Sequence, residues 1–242
     1  MLIMPGKAMG SVGVRPRPVG SEPDISVTDN LHSWWRSDKG ITLNGADVSN
    51  WADEQGNGDL VQATAQDQPL LVASQINGHD VLRFDGTDHH MVATFTSIDQ
   101  PFTVWMLIKA LAHTVGRVLW FGRVSTSALV EQNFTSPIMA MSAGGGAANQ
   151  ISPTIDVAHL VQTHFSNVDA SSYQETDNDG HQTGGAGTFR NLNSGFTLCS
   201  SAAGASTINC EVAEVAIYTT KPSADEEASL KAYFSARYAL GF

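Results

Sequence analysis

Short apolar runs separated by turn residues fill the chain from Ser26 onward, and this pattern predicts an all-β fold. Glycine-containing turns such as Asn44-Gly45 and Asn77-Gly78 divide the runs. Both strand faces are apolar in residues 104–108 (VWMLI), so we expect this strand to be covered on both sides. The predicted strands are residues 31–36, 48–53, 70–72, 81–84, 91–94, 102–110, 117–124, 137–142, 157–166, 171–177, 196–200 and 208–218.

The pattern changes to a helical period near the C-terminus. Ser223 fits a helix N-cap, and Glu226 completes a capping box three residues later. Gly241 suits the end of the helix. The sequence therefore predicts one α-helix over 224–239 that docks on the sheets through residues at helical spacing, namely Leu230, Tyr233, Phe234 and Tyr238.

Residues 1–25 lack hydrophobic periodicity and predict an extended N-terminal arm ahead of a single domain over 26–242. Residues 1–20 hold three cations and no acid, so the other 222 residues carry a net charge of −14, against −11 for the whole chain. Such an arm could anchor on an acidic neighbour, for example another copy of the protein; the alternative is a tail with incidental cations. The expected anchoring residues are Lys7, Arg15, Pro16, Arg17 and Pro18.

The net charge and the lengths of the apolar runs limit the possible partners and the cellular location. The net charge of −11 argues against nucleic acid as a ligand. The opening apolar residues stop at Pro5, too early for a signal peptide, and the longest apolar run, residues 102–112, is broken by Lys109. We therefore expect synthesis in a cytoplasm without membrane insertion.

Several offset pieces near the N-terminus belong together: Trp34-Trp35, residues 49–53 (SNWAD), 56–58 (GNG), 62–64 (QAT), 68–69 (QP), 76–78 (ING) and 83–88 (RFDGTD). In this order they resemble the concanavalin A-like, laminin-G-type domains. The resemblance covers roughly residues 28–242, including the stretch 211–218 (EVAEVAIY) and the helix after it. It implies a two-sheet antiparallel jelly-roll sandwich, the fold of many lectins and glucanases.

The residue types point to two candidate binding sites, one for carbohydrate and one for Ca²⁺. Trp34 and Trp35 are adjacent, so their rings diverge, and one could be exposed as a platform for carbohydrate. Asp85 and Asp88 could supply oxygens to Ca²⁺, which some domains of this type bind. The favoured alternative for these two acids is that they are turn formers, as we also expect for Asp53.

The acidic residues do not form a convincing hydrolase site. Glu175 and Asp177 begin a pattern of alternating acids, but Gly180 stands at the third acidic position. Glu211 and Glu214 are three apart, so a regular strand would put them on opposite faces. No cofactor is required by any motif, and we expect the protein not to be an enzyme.

Cys199 and Cys210 flank a predicted hairpin turn, which leaves two states open. They could form a cross-strand disulfide, or they could be two small buried thiols. The second is favoured, because a reducing cytoplasm keeps thiols free.

Three functions follow as hypotheses. The first is a structural protein of a bacteriophage particle, of head decoration, fibre or collar type. It would sit on the virion surface, bind other virion proteins or its own copies through residues 1–25, and could touch host glycans. The alternative is a stand-alone carbohydrate-binding or adhesion module. A glycoside hydrolase is the least favoured.

Overall fold

The computed structural model describes residues 24–133, 138–144, 148–168, 171–176, 180–201 and 204–241. The expected anchoring residues Lys7, Arg15, Pro16, Arg17 and Pro18 lie outside these ranges. The two described residues of the expected arm contact the body: Asp24 pairs with Arg36 at 2.7 Å, and Ile25 is buried.

The described elements are strands, one short 3₁₀ turn at Ala65–Asp67, and one C-terminal helix. In chain order they are β1 (Leu31–Arg36), β2 (Ile41–Asn44), β3 (Asp47–Trp51), β4 (Leu60–Val61), β5 (Leu70–Ile76), β6 (His79–Asp85), β7 (Met91–Ala93), β8 (Phe102–Ala110), β9 (Arg117–Gly122), β10 (Leu129–Asn133), β11 (Ile138–Ser142), β12 (Ala148–Ile151), β13 (Ala158–Phe165), β14 (Tyr173–Thr176), β15 (Gly180–Thr183), β16 (Phe196–Leu198), β17 (Asn209–Tyr218) and α1 (Ala224–Tyr238).

The strands form two layers of antiparallel pairs. In the first layer, sheet A, β17 lies between β8 on one side and β1 and β6 on the other, and the sheet continues from β8 through β13 and β14 to β15. In sheet B, β16 lies between β7 and β9; β9 leads to β10, β11 and β12, and β7 leads to β4, β3 and β2. Strand β5 pairs with both β6 and β3 and joins the layers at one edge.

Two apolar clusters hold these layers together. The larger fills the space between the sheets and includes the buried rings of Trp35, Trp51, Trp120, Phe102 and Phe196. The smaller lies between the outer face of sheet A and α1, and contains Trp34, Trp105, Tyr218, Leu230 and Phe234. Strand β8 contributes Met106 to one cluster and Trp105 to the other, which confirms that it is covered on both sides. The sandwich and the single C-terminal helix confirm the predicted fold class.

Helix α1 begins as the sequence predicts and ends one residue sooner. The Ser223 side chain accepts from the backbone of Glu226, and the Glu226 side chain accepts from the backbone of Ser223 at 2.6 Å. The left-handed residue that ends the helix is Ala239, with φ of 54°, and not Gly241. In the described ranges, no helix is long and apolar enough to cross a bilayer.

Candidate functional site

A β-bulge in β17 changes where two buried acids lie. The pairing of β17 with β8 shifts register between Val212 and Glu214. Val212 and Val215 both pack between the sheets, so Glu211 and Glu214 share the outer face of sheet A. The expectation that they lie on opposite faces is therefore wrong, because the bulge breaks the regular alternation on which it was based.

Neither of these acids is open to a substrate. Glu211 is fully buried; its Oε1 accepts from Nε of Arg83 at 2.9 Å, and the Lys109 ammonium forms an ion pair with its Oε2 at 2.7 Å. Glu214 is equally buried and accepts from Tyr238, Tyr233 and Trp34 at 2.7, 2.8 and 2.6 Å. Burial raises the pKa of Glu214, although these donors and Arg237 counteract part of the rise. The two acids therefore have structural roles: Glu211 connects β17 to β6 and β8, and Glu214 connects it to β1 and α1.

The paired tryptophans do not present an exposed ring. Trp34 is 5% exposed, and its indole N–H bonds to Glu214 beneath α1. Trp35 is fully buried and stacks on Phe196 in the core between the sheets. The expectation that one ring is exposed is not met, and a sugar could reach Trp34 only if α1 moved.

Asp85 and Asp88 come together with a third candidate ligand, His89. The ligand atoms of these three residues lie within 4.8 Å of one another. One oxygen of Asp85 accepts from the backbone N–H of Thr87 at 2.8 Å, with longer bonds from Asp88 and His89. These bonds outweigh partial burial and lower the pKa of Asp85.

This geometry matches the turn-forming alternative for Asp85. Ca²⁺ prefers six to eight oxygen ligands, and among the described residues this turn gathers two carboxylates and an imidazole. A calcium site here stays a prediction.

The two cysteines are free thiols, which is the state that the sequence favours. Cys199 and Cys210 are both buried, with their sulfur atoms 3.3 Å apart. Burial raises the pKa of the Cys199 thiol, and the contact with Cys210 adds to the effect.

A cavity of about 170 Å³ lies where α1 crosses the outer face of sheet A. Alternation along β13 sends Val161 into the core between the sheets and leaves Leu160 and Gln162 facing the helix. Glu175 lies opposite Gln162 on the neighbouring strand β14. The lining residues are Trp105, Leu160, Gln162, Glu175, Thr176, Gly180 and Lys231.

The polar side of the cavity is tied to the helix. Gln162 donates to the Tyr173 hydroxyl at 2.5 Å and to Glu227 at 3.1 Å, and Tyr173 donates to the same Glu227 oxygen at 2.5 Å. Burial and Glu227 raise the pKa of Tyr173, so it remains a protonated donor. Lys231 of α1 forms an ion pair with Glu175. These contacts connect the polar side of the cavity to β13 and β14 and also to α1.

Two buried atoms of the lining residues have no hydrogen-bond partner within the described part of the chain. They are the indole nitrogen of Trp105 and the amide oxygen of Gln162. Both side chains are almost fully buried. Sequence reasoning placed Trp105 in the core, which is correct, but it singled out neither Gln162 nor Lys231. No local pattern marks them, because the cavity forms only when β8, β13, β14 and α1 assemble.

Comparisons with known proteins identify the fold and no family. No protein-family model and no curated protein matches the chain. A Trypanosoma rangeli sialidase in complex with a difluoro-nononic acid aligns with a TM-score of 0.60 at 16% identity, over 86% of this chain and 33% of the sialidase. The binding domain of Paraclostridial Mosquitocidal Protein 1 aligns with a TM-score of 0.59 at 11% identity, over 86% of this chain and 52% of that one.

A third similar structure matches over nearly its whole length. Domain 4 of AbnA, an extracellular arabinanase from Geobacillus stearothermophilus, was solved in complex with arabinotriose. It aligns with a TM-score of 0.55 at 12% identity, over 78% of this chain and 92% of that domain. Identities this low show a shared fold, which is consistent with the lectin- or glucanase-like fold that the sequence resemblance implies.

The sialidases correct one expectation. The sequence leads us to expect that the protein is not an enzyme, but enzymes are among the structures that share its fold. That expectation is therefore contradicted at the level of the fold. The chain spans about a third of the sialidases' length, so the likeness does not extend to a whole sialidase.

Proposed function

We propose that this protein binds carbohydrate, and that the cavity beside α1 contacts the sugar. The observation that carries the proposal is the mixed lining of the cavity. The buried side chains of Trp105 and Leu160 form an apolar floor, while the partly exposed side chains of Glu175 and Lys231 supply hydrogen-bonding groups. A sugar ring has the complementary chemistry, with C–H groups on its faces and hydroxyls around its edge.

The size of the cavity limits how much of a sugar it can take. Sites for drug-sized molecules span roughly 300–1,000 Å³, whereas this cavity measures about 170 Å³. It suits a single sugar residue or the end of a longer chain. Affinity from such a small contact is expected to be modest, because few groups are buried.

The similar structures support the proposal by analogy of fold. The arabinanase domain, 92% of which aligns with this chain, was solved with arabinotriose. The domain from the mosquitocidal protein is described as a binding domain. Since fold does not fix function, this support is associational and the cavity carries the physical argument.

A glycan array tests the proposal without assuming a site. The labelled full chain should bind at least one class of immobilised glycan, and the same sugar added free in solution should compete. A heat-denatured sample is the control for adsorption. Absence of competed binding to every glycan on the array would contradict the proposal.

The phage-particle hypothesis stays a prediction. It depends on partners held through the N-terminal arm, of which residues 1–23 lie outside the described ranges. Because Asp24 and Ile25 contact the body, a deletion that tests it should stop at residue 23. The truncated chain should fold and fail to enter particles; full incorporation would contradict the hypothesis.

A further inference from the structure

Cys199 and Cys210 bring their thiols together from opposite sheets. Cys199 directly follows β16 in sheet B, and its backbone N–H donates to the Leu119 carbonyl of β9 at 2.7 Å. Cys210 lies in β17 of sheet A and pairs with Phe84 of β6 and Ala110 of β8. Both cysteine side chains are fully buried in the larger apolar cluster. The two thiols therefore meet in the core between the sheets.

The backbone of Cys199 turns its side chain into this core. Leu198 and Cys199 are consecutive, and both belong to the core between the sheets, whereas a regular strand would send them to opposite faces. The break in alternation coincides with a left-handed backbone at Cys199, where φ is 60°. A non-glycine residue adopts this conformation only where its surroundings hold it there, and such residues cluster at functional positions. The left-handed turn thus directs the thiol towards Cys210.

We propose that Cys199 and Cys210 form a disulfide that joins the two sheets when the chain folds in the presence of a small-molecule disulfide such as glutathione disulfide. Their sulfur atoms lie 3.3 Å apart, and a disulfide joins sulfur atoms about 2.05 Å apart, so each has to move by less than about 1 Å. The free thiols of the present structure are the reduced state. The bond does not depend on the proposed carbohydrate-binding function.

The reaction is a thiol–disulfide exchange in two steps. One cysteine thiolate attacks glutathione disulfide, which forms a mixed disulfide and releases one glutathione. The second cysteine thiolate then attacks the protein sulfur of the mixed disulfide and releases the other glutathione. The two protons that the cysteines lose end on the two glutathione thiols, so the protein is oxidised by two electrons and the glutathione is reduced by two.

Burial determines when the bond can form. Both thiols are closed to solvent in the folded protein, so an oxidant cannot reach them there. Burial also raises the pKa of the Cys199 thiol, which removes the reactive thiolate. The exchange therefore takes place while the sheets are still apart, and in the folded chain it proceeds only as fast as this region opens.

Refolding of the full chain tests the bond, because the chain holds two cysteines and the product is unambiguous. Chain unfolded in urea is equilibrated with a glutathione redox buffer, the urea is removed by dialysis, and remaining thiols are alkylated in fresh denaturant. Mass spectrometry should show a monomer that has lost two hydrogen atoms and takes up no alkylating agent. A folded monomer whose cysteines are alkylated or carry glutathione would overturn the proposal.

Thermal unfolding shows whether the bond fits the native sandwich. It closes a loop between residues 11 apart, so the oxidised chain should melt about 5–10 °C above the reduced chain. Cys199→Ala and Cys210→Ala are the matched controls, since each keeps one thiol, and oxidant should not raise their melting temperatures, whatever the substitution itself costs. An oxidised chain that melts no higher than the reduced one, or an equal rise in either variant, would overturn the proposal.

Oxidation of the folded chain tests the assigned order of events. Reduced, folded chain in the same redox buffer should oxidise at least about tenfold more slowly than chain held at its urea midpoint, because only opened molecules react. Alkylation of samples taken at intervals measures both rates. Equal rates would show that the oxidant reaches the thiols in the folded state and would overturn the order.

Discussion

Glu214 shows how one side chain can determine what its neighbours are able to do. Its two oxygens accept from Trp34, Tyr233 and Tyr238, and so connect β1, β17 and α1. The ring of Trp34, which by type could bind a sugar, is thereby committed to holding the helix. Asp53 accepts from the backbone N–H groups of Gln55, Asn57 and Gly58 in its own turn, which is the role that the sequence predicts, and also from the backbone N–H of Trp34 in β1.

Removing the Glu214 carboxylate should destabilise the protein strongly. Glu214→Ala leaves three buried donors without an acceptor, and we expect a loss of about 3–5 kcal/mol in the free energy of unfolding. Glu54→Ala is the control: it removes an ion pair with the exposed Lys39 and a longer 3.8 Å contact with Arg36, and Arg36 keeps its pairs with Asp24 and Asp38, so it should cost about 1 kcal/mol. Urea unfolding measures both. A loss below about 1 kcal/mol for Glu214→Ala would contradict the anchoring role.

At the scale of elements, α1 is the clearest case of partial predictability. Its start follows from the Ser223 and Glu226 side chains, which act locally. Its end does not follow from local side chains. The sequence predicts the stop at Gly241, whereas the residue that adopts the left-handed conformation is Ala239. Non-glycine residues seldom adopt this conformation without cost, so docking of the helix holds Ala239 there.

A glycine at this position should therefore stabilise the protein. We expect Ala239→Gly to raise the free energy of unfolding by about 0.5–1 kcal/mol. The matched control is Ala232→Gly at an exposed position within the helix, which should lower it by about 1 kcal/mol. Thermal and urea unfolding give both values. Equal destabilisation by the two substitutions would contradict backbone strain at Ala239.

The strands divide in the same way into predictable and unpredictable ones. The apolar run of β8 predicts a strand covered on both faces, and it is one. Strand β15 reads GHQT and has no apolar alternation, so only its pairing with β14 makes it a strand. The bulge in β17 likewise leaves no local signal, and it moved Glu211 and Glu214 to one face.

At the scale of the whole molecule, an ion-pair network joins the two ends of the described chain. Arg237 of α1 and Arg36 of β1 both contact Asp38, at 2.8 and 3.0 Å. Burial alone would raise the pKa of Asp38, but the hydrogen bonds from these arginines outweigh it and lower the pKa to about 2. The cavity arises from the same docking of α1, which explains why no local sequence pattern predicts it.

The network should make stability depend on pH in the acid range. Because the pKa of Asp38 is lower in the folded state than its ordinary value of 3.8, its contribution is complete above pH 4 and is lost as the pH falls towards 2. The melting temperature of the native protein should therefore exceed that of Asp38→Asn at pH 5, and the gap should narrow by pH 2. A gap that stays constant from pH 5 to pH 2 would contradict this assignment.

The most direct test of the account is whether a bound sugar lies in the cavity beside α1. The five tryptophans give separate indole N–H signals in ¹H–¹⁵N spectra, which Trp→Phe variants assign. On titration with a sugar that binds, the signal of Trp105, which is buried beside the cavity, should shift in a saturable way, while the signals of Trp35 and Trp120 in the core between the sheets stay in place. A binding sugar that leaves the Trp105 signal unmoved would contradict the central claim.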